Sequence, residues 1–169
     1  MQFYVDAMLG RFGKTLRLLG FDTLIASPEL TDTEILNQCL EQNRYLITND
    51  KLFHSRMNNK TNSNGSEAKS LLIDSTAQLP DQLSIFFKFF NIDFSFNDFN
   101  KPESFISRCT NCNGQLKEVS KDEIKDKVNN GTYEHQERFW ICTSCHNVYW
   151  IGSHWNNIKN TLKKIDLSN

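Results

Sequence analysis

This chain has no apolar stretch long enough to cross a bilayer. Its most apolar run, Ile85 to Phe90, is interrupted by Lys88 and falls far short of the ~20 residues that a membrane helix needs. The opening MQFYVD lacks the basic region and apolar stretch of a secretory signal. The expectation is a soluble cytoplasmic protein with no membrane partner. Neither sign of charge is in excess: 19 Lys and Arg stand against 20 Asp and Glu. Bulk charge therefore points to no polyanionic partner, and a nucleic-acid site must come from a local basic patch. Internal repeats are absent. The five cysteines are an odd number, and in a reducing cytosol they are not expected to form disulfides. Cys39 stands apart on a predicted helix and reads as a small buried hydrophobe.

What is present suits one medium domain, or one domain with a small module: 169 residues, 38% apolar, with thirteen phenylalanines to fill a core. Residues 2–6 read as a short buried strand that ends in a carboxylate. Met8, Leu9, Phe12, Leu16 and Leu19 follow at helical spacing, and Gly20 is a stop signal. Further strands are predicted at Phe21 to Ala26, Tyr45 to Thr48 and Ser70 to Asp74. Helices are predicted from Thr31 or Asp32 to Asn43, over Lys51 to Met57, and over Leu79 to Asn91. This β-α-β-α order argues for a parallel α/β sheet flanked by helices. The polar segment 58–67 reads as a mobile insertion, with a substrate flap beside Asp50 as the functional alternative. Composition changes near Asn97 to Pro102. That places one domain at 1–98 and a second module at 99–169, which ends in a basic helix from about Trp155 to Ile165.

The second module carries the sharpest motif. Cys109-x-x-Cys112 and Cys142-x-x-Cys145 bracket 29 residues. Two such knuckles put four thiolates at tetrahedral corners, the geometry that zinc prefers. A rubredoxin-type iron site shares these ligands, and zinc is the expected metal. Four protein ligands leave no open position for water, so the ion serves structure and not hydrolysis. Gly114 and Asn147 follow the knuckles where tight turns are needed, and an inserted hairpin or helix is expected over Lys117 to Gly131. His146 reads as a solvated turn residue. Trp140, Tyr149, Trp150 and Trp155 surround the second knuckle, most as ribbon core and some as surfaces on which bases stack.

In the first domain three acids fall at special places. Asp6 ends the first strand, Asp32 starts the second helix, and Asp50 follows the third strand. In a parallel sheet the C-terminal strand ends share one rim, where ligands bind. Clustered carboxylates repel until a cation neutralises them, and such a set suits Mg²⁺ or Mn²⁺ acting on a phosphodiester. Each acid also has a plainer reading as a helix cap, least comfortably for Asp6. Glu34 and Asp74 are further acids nearby, read as solvated. Arg11, Lys14 and Arg17 on the first helix are candidates to hold phosphates, with a cationic solvent face as the alternative. Lys51, His54 and Arg56 flank Asp50.

DAMLGRFGKTLRLLGFDT (6–23), TDTEIL (31–36), RYLITND (44–50) and FWICTSCHNVYWIGSHW (139–155) together resemble the Mut-seven C-terminal RNase domain, a PIN-like nuclease fold fused to a zinc ribbon. The resemblance covers about residues 2–160. It implies a metal-dependent ribonuclease acting on RNA, with tRNA or another structured RNA as a substrate class, leaving a 5′-phosphate and a 3′-hydroxyl. It also implies that Asp6, Asp32 and Asp50 are the acidic motif residues and that the four cysteines hold zinc. Asn49 stands where the family usually has Arg, which removes a positive charge beside the site, and the polar insertion is longer than usual. The rival readings are a non-catalytic RNA- or protein-binding zinc-ribbon adaptor and a PIN-type toxin, against which the fused ribbon argues.

Overall fold

The computed structural model describes residues 1–94 and 107–165. The expected domain boundary lies outside the described residues. Four short parallel strands form the central sheet: β1 (Gln2–Val5), β2 (Asp22–Ile25), β3 (Tyr45–Thr48) and β4 (Ser70–Leu72). Their order is β2-β1-β3-β4. The chain thus moves to one side of β1 and then to the other, which opens a crevice between the C-terminal ends of β1 and β3.

Helices α1 (Gly10–Leu18), α2 (Asp32–Glu41), α3 (Lys51–Asn58) and α4 (Leu79–Phe89) connect or follow the strands. Strand residues alternate between faces, so β1 feeds two cores. Phe3 and Val5 join α1 and α4 through Leu9, Phe12, Leu16, Leu83 and Phe86. Tyr4 joins α2 and α3 on the opposite face through Ile35, Leu36, Phe53 and Met57. Phe86 is the hub of the first core, with ring centroids of Phe3 at 5.0 Å, Phe90 at 5.1 Å and Phe21 at 5.3 Å. Cys39 is fully buried in the second, where burial pushes its thiol up to about 12. It is a small buried hydrophobe, as the sequence implied.

Gly13 explains how closely α1 lies on the sheet. A Cβ there would fall 2.8 Å from Ile25 Cγ1 and 3.4 Å from Val5 Cβ. Gly20, with φ 90°, ends the α1 region in the left-handed conformation that glycine adopts freely.

The second module contains an antiparallel sheet of β5 (Leu116–Val119), β6 (Phe139–Cys142) and β7 (Val148–Trp150), in that order. Between β5 and β6 the chain forms a 3₁₀ turn, Lys121–Ile124, and the short helix α5 (Asn130–His135). A last helix, α6 (Ser153–Leu162), returns to the first core. Its Trp155, Ile158 and Leu162 are buried there with α4, so the tail is not merely a basic appendage. No helix among the described residues is long and apolar enough to cross a membrane.

The polar insertion is folded back at the rim opposite Asp50. Ser63 N donates to Leu40 O at 3.0 Å, and Asn43 Oδ1 accepts from Asn64 N at 3.3 Å. Gly65, with φ 81°, lets it reverse. The expected proximity to Asp50 is therefore not found, because the whole of α3 separates the two.

Candidate functional site

At the crevice, the backbone carries the β1–β3 ladder one step past the strand: Asp6 N donates to Ile47 O at 2.9 Å. This sets Asp6 beside Thr48, whose side chain is fully buried. Thr48 Oγ1 donates to Asp6 Oδ2 at 2.8 Å and accepts from Asp50 N at 3.0 Å. One hydroxyl therefore ties the two acids together. Asp6 Oδ1 also accepts from Met8 N at 3.3 Å, which caps the 3₁₀ turn leading into α1. Asp50 caps α3, its Oδ1 accepting from Leu52 N at 2.7 Å and Phe53 N at 2.9 Å. Asp6 is half-buried and Asp50 exposed.

Asp32 comes from a third element, α2. It is the first residue of α2, while Thr31 is the cap and forms a capping box with Glu34. The Asp32 carboxylate lies 3.6 Å from Arg56 Nη1 of α3, with both side chains about half exposed. The three acids are not drawn into one tight group. Among the described residues, the only set of three or more Cys, His, Asp or Glu whose ligand atoms lie within 4.8 Å of one another is the cysteine quartet. Glu34 and Asp74 have local tasks. Hydrogen bonds from Thr31 and Thr76, respectively, hold their carboxyls below the usual range. Asn49 Nδ2 donates to Ser75 Oγ at 3.1 Å, joining the ends of β3 and β4.

The cations of α1 divide in two. Arg11 and Lys14 are exposed. Arg17 corrects the sequence expectation of a phosphate contact: it is 6% exposed. Its Nε donates to Thr23 O at 2.8 Å, and its Nη1 donates to Thr110 O at 2.9 Å and Asn111 O at 3.0 Å. The guanidinium is thus occupied in docking the first cysteine knuckle onto β2 at the edge of the parallel sheet. Helix α1 runs away from the acid rim, so its last turn reaches the opposite edge of the sheet. There Asp22 accepts from Arg44 and from Asn113 Nδ2, each at 2.8 Å. Burial opposes ionisation of Asp22, but these donors and Gln2 outweigh it and lower its pKa.

The four thiols are gathered as the spacing required. Cys109 and Cys145 Sγ are 3.4 Å apart, as are Cys112 and Cys142 Sγ. The amides of Cys112, Ser144 and Cys145 point at knuckle sulfurs at 3.4–3.5 Å. Tyr149 Oη lies 3.0 Å from Cys109 Sγ. Burial opposes ionisation at Cys109, yet the bonds from Tyr149 and the Cys112 amide lower its thiol to about 6. A closed set of soft donors with N–H···S support fits zinc.

The turns differ from expectation by one residue. Asn113 (φ 68°) and His146 (φ 59°) take the left-handed positions. Gly114 is needed for space, since a Cβ there would stand 2.8 Å from Cys142 Sγ. His146 is exposed, as a turn residue should be. Of the aromatics near the second knuckle, Trp140 is 4% exposed and Trp155 7%, while Trp150 is 39% exposed.

Thr48 is the member of the site that sequence reasoning missed. Its signal was faint: a hydroxyl at the last position of a buried strand, between two motif acids.

No curated protein and no solved structure matches the chain. The family model described as the Mut7-C RNAse domain matches residues 1–162, a span that takes in the acid rim, both knuckles and all of α6. With that match covering nearly all of its 169 residues, the chain belongs to the Mut7-C RNAse domain family.

Proposed function

We propose that this protein is a ribonuclease that hydrolyses RNA phosphodiester bonds at the rim formed by Asp6 and Asp50, with Mg²⁺ or Mn²⁺ as the catalytic cation and zinc as a structural one. Residues 1–98 carry the chemistry and residues 99–169 the ribbon. The observation that carries the reading is the Thr48 hydroxyl, which links a carboxylate at the end of β1 to the backbone of a second acid at the end of β3. Hard oxygen donors from one or two carboxylates, completed by water and phosphate, are what Mg²⁺ takes.

When bound, the cation neutralises phosphate charge and lowers the pKa of a water. The chain's own residues do the rest. Thr48 Oγ1 and Met8 N orient the Asp6 carboxylate. Asp50 is fixed as the α3 cap through Oδ1. Asp32 completes the acidic motif from α2, with Arg56 balancing its charge. Arg11 and Lys14 hold phosphates of the strand, in a place where cations position a backbone without reading bases. Hydrolysis leaves a 5′-phosphate on one product and a 3′-hydroxyl on the other.

The test is cleavage of end-labelled single-stranded RNA and of tRNA with Mg²⁺ or Mn²⁺, comparing wild type with Asp6→Asn, each shown to be folded and zinc-loaded. Cleavage by wild type and a loss on the order of 10²-fold or more in the variant is expected, the scale for removing one key electrostatic group. Equal cleavage by both would remove Asp6 from the site. RNA binding without cleavage by either protein would favour the adaptor reading, which the lack of a tight group of the three acids supports.

A further inference from the structure

Two clefts lie in series along α1, and a third adjoins the second on the ribbon. The first, about 250 Å³, borders the acid rim and is lined by Met8, Arg11 and residues 75–78. Arg11 also lines the second, about 620 Å³, where Lys14 and Leu18 face Thr110 of the ribbon and Asn157 and Thr161 of α6. Thr110 in turn also lines the third, about 440 Å³, which lies on the ribbon between the first knuckle, residues 127–129 and β7. Helix α1 has nine residues, so at 1.5 Å per residue this track spans about 14 Å from rim to ribbon.

The third cleft has the composition of a base-binding pocket. Trp150 lines it and is the exposed tryptophan of the ribbon region. Its indole is braced against bare backbone, since a Cβ at residue 152 would stand 3.0 Å from Nε1 and 3.2 Å from Cδ1. Asn111, Asn129 and Asn147 line it, and their amides bring donors and acceptors, with Asn129 Oδ1 already accepting from Thr132 N as the α5 cap. Lys127 supplies a cation. Tyr149 stiffens the wall through its contact with Cys109 Sγ. An aromatic platform with a neighbouring cation suits single strands of any sequence.

We propose that the Trp150 cleft is a nucleobase subsite for single-stranded RNA, tied to the acid rim by Arg11 and Lys14 along α1. The ribbon then grips the strand several nucleotides from the bond that is cut. The exposed cations at three points along the track favour nucleic acid over a protein occupant. This subsite rests on the ribonuclease reading for its purpose but not for its detection.

The test uses the full zinc-loaded chain carrying Asp6→Asn to silence cleavage, with no divalent metal added. A fluorescein-labelled twelve-nucleotide oligouridine is titrated and followed by anisotropy. Trp150→Ala should weaken binding by about tenfold, from the ~1–3 kcal/mol that stacking on one aromatic contributes. Trp150→Phe should recover most of that loss. A 5-iodouridine version should photocrosslink to the peptide containing residues 147–152. Unchanged affinity in Trp150→Ala, or crosslinks confined to other peptides, would overturn the subsite. Failure of oligouridine to bind either protein would also overturn it and leave the cleft to a protein partner. Failure of the ribonuclease reading shows differently: wild type with Mg²⁺ or Mn²⁺ would bind the oligomer through Trp150 and leave it intact.

Discussion

At the ribbon, four thiols lie within 4.8 Å of one another and are supported by amides and a phenol. At the acid rim, Asp6 and Asp50 share a threonine, and Asp32 is paired elsewhere. The difference follows from charge. Thiols can be neutral, so a fold can crowd them before a metal arrives. Carboxylates are ionised at neutral pH, and crowding them costs energy until a cation offsets the repulsion. The four thiols are therefore gathered as a closed ligand set, whereas the acids of the rim are held by hydrogen bonds to one threonine and to helix amides.

The contrast can be broken most forcefully at the ribbon. Cys142→Ser removes a buried ligand, and the zinc-dependent part of the fold, worth on the order of 10–16 kcal/mol in isolated structural sites, should be largely lost. Zinc content measured by a chromogenic chelator and thermal melting should fall together. A variant that keeps its melting temperature without zinc would show that the ribbon folds on its packing alone.

A smaller effect is expected at the junction. Arg17→Met preserves most of the stem but leaves the carbonyls of Thr23, Thr110 and Asn111 without their charged donor. Urea denaturation should register a loss of about 3 kcal/mol, with zinc still bound. A loss below a few tenths would mean that water replaces the guanidinium.

The smallest stability change, and the most informative for the rim, is Thr48→Val. It fills the same space but removes the hydroxyl between the two acids. About 1–2 kcal/mol should be lost and cleavage should fall, while Thr48→Ser should retain both. If Thr48→Val cleaves as wild type does, the orientation of Asp6 comes from its backbone position alone.

Much of this was legible from residue types. Alternation and helical spacing placed β1 to β4 and α1 to α4 within a residue or two, since each segment buries one face. The knuckles were legible because ligand spacing is local geometry. Tertiary direction was not. Arg17 sits three residues after Lys14 in the same basic pattern, and what buries it is a set of backbone carbonyls, two of them more than ninety positions away. Carbonyls are common to every residue and leave no trace in composition. The link through Thr48 was hidden in a similar way, since threonine at a strand end reads first as β propensity. The spread of the three acids was also beyond reach: sequence position put Asp6 and Asp50 at strand ends and Asp32 at a helix start, but it could not set the distances among them.

The return of α6 to the first core has a consequence for how the chain is made. Trp155, Ile158 and Leu162 complete a hydrophobic cluster founded by Phe3 and Val5. Synthesis proceeds from the N-terminus at ~5–20 residues per second. The sheet therefore waits several seconds on the ribosome, with part of its apolar surface uncovered, until the ribbon and α6 have emerged. Both cysteine knuckles come before that closing step in the order of emergence. The first core of this chain is thus the last part to be completed, although its founding strand is the first to be made.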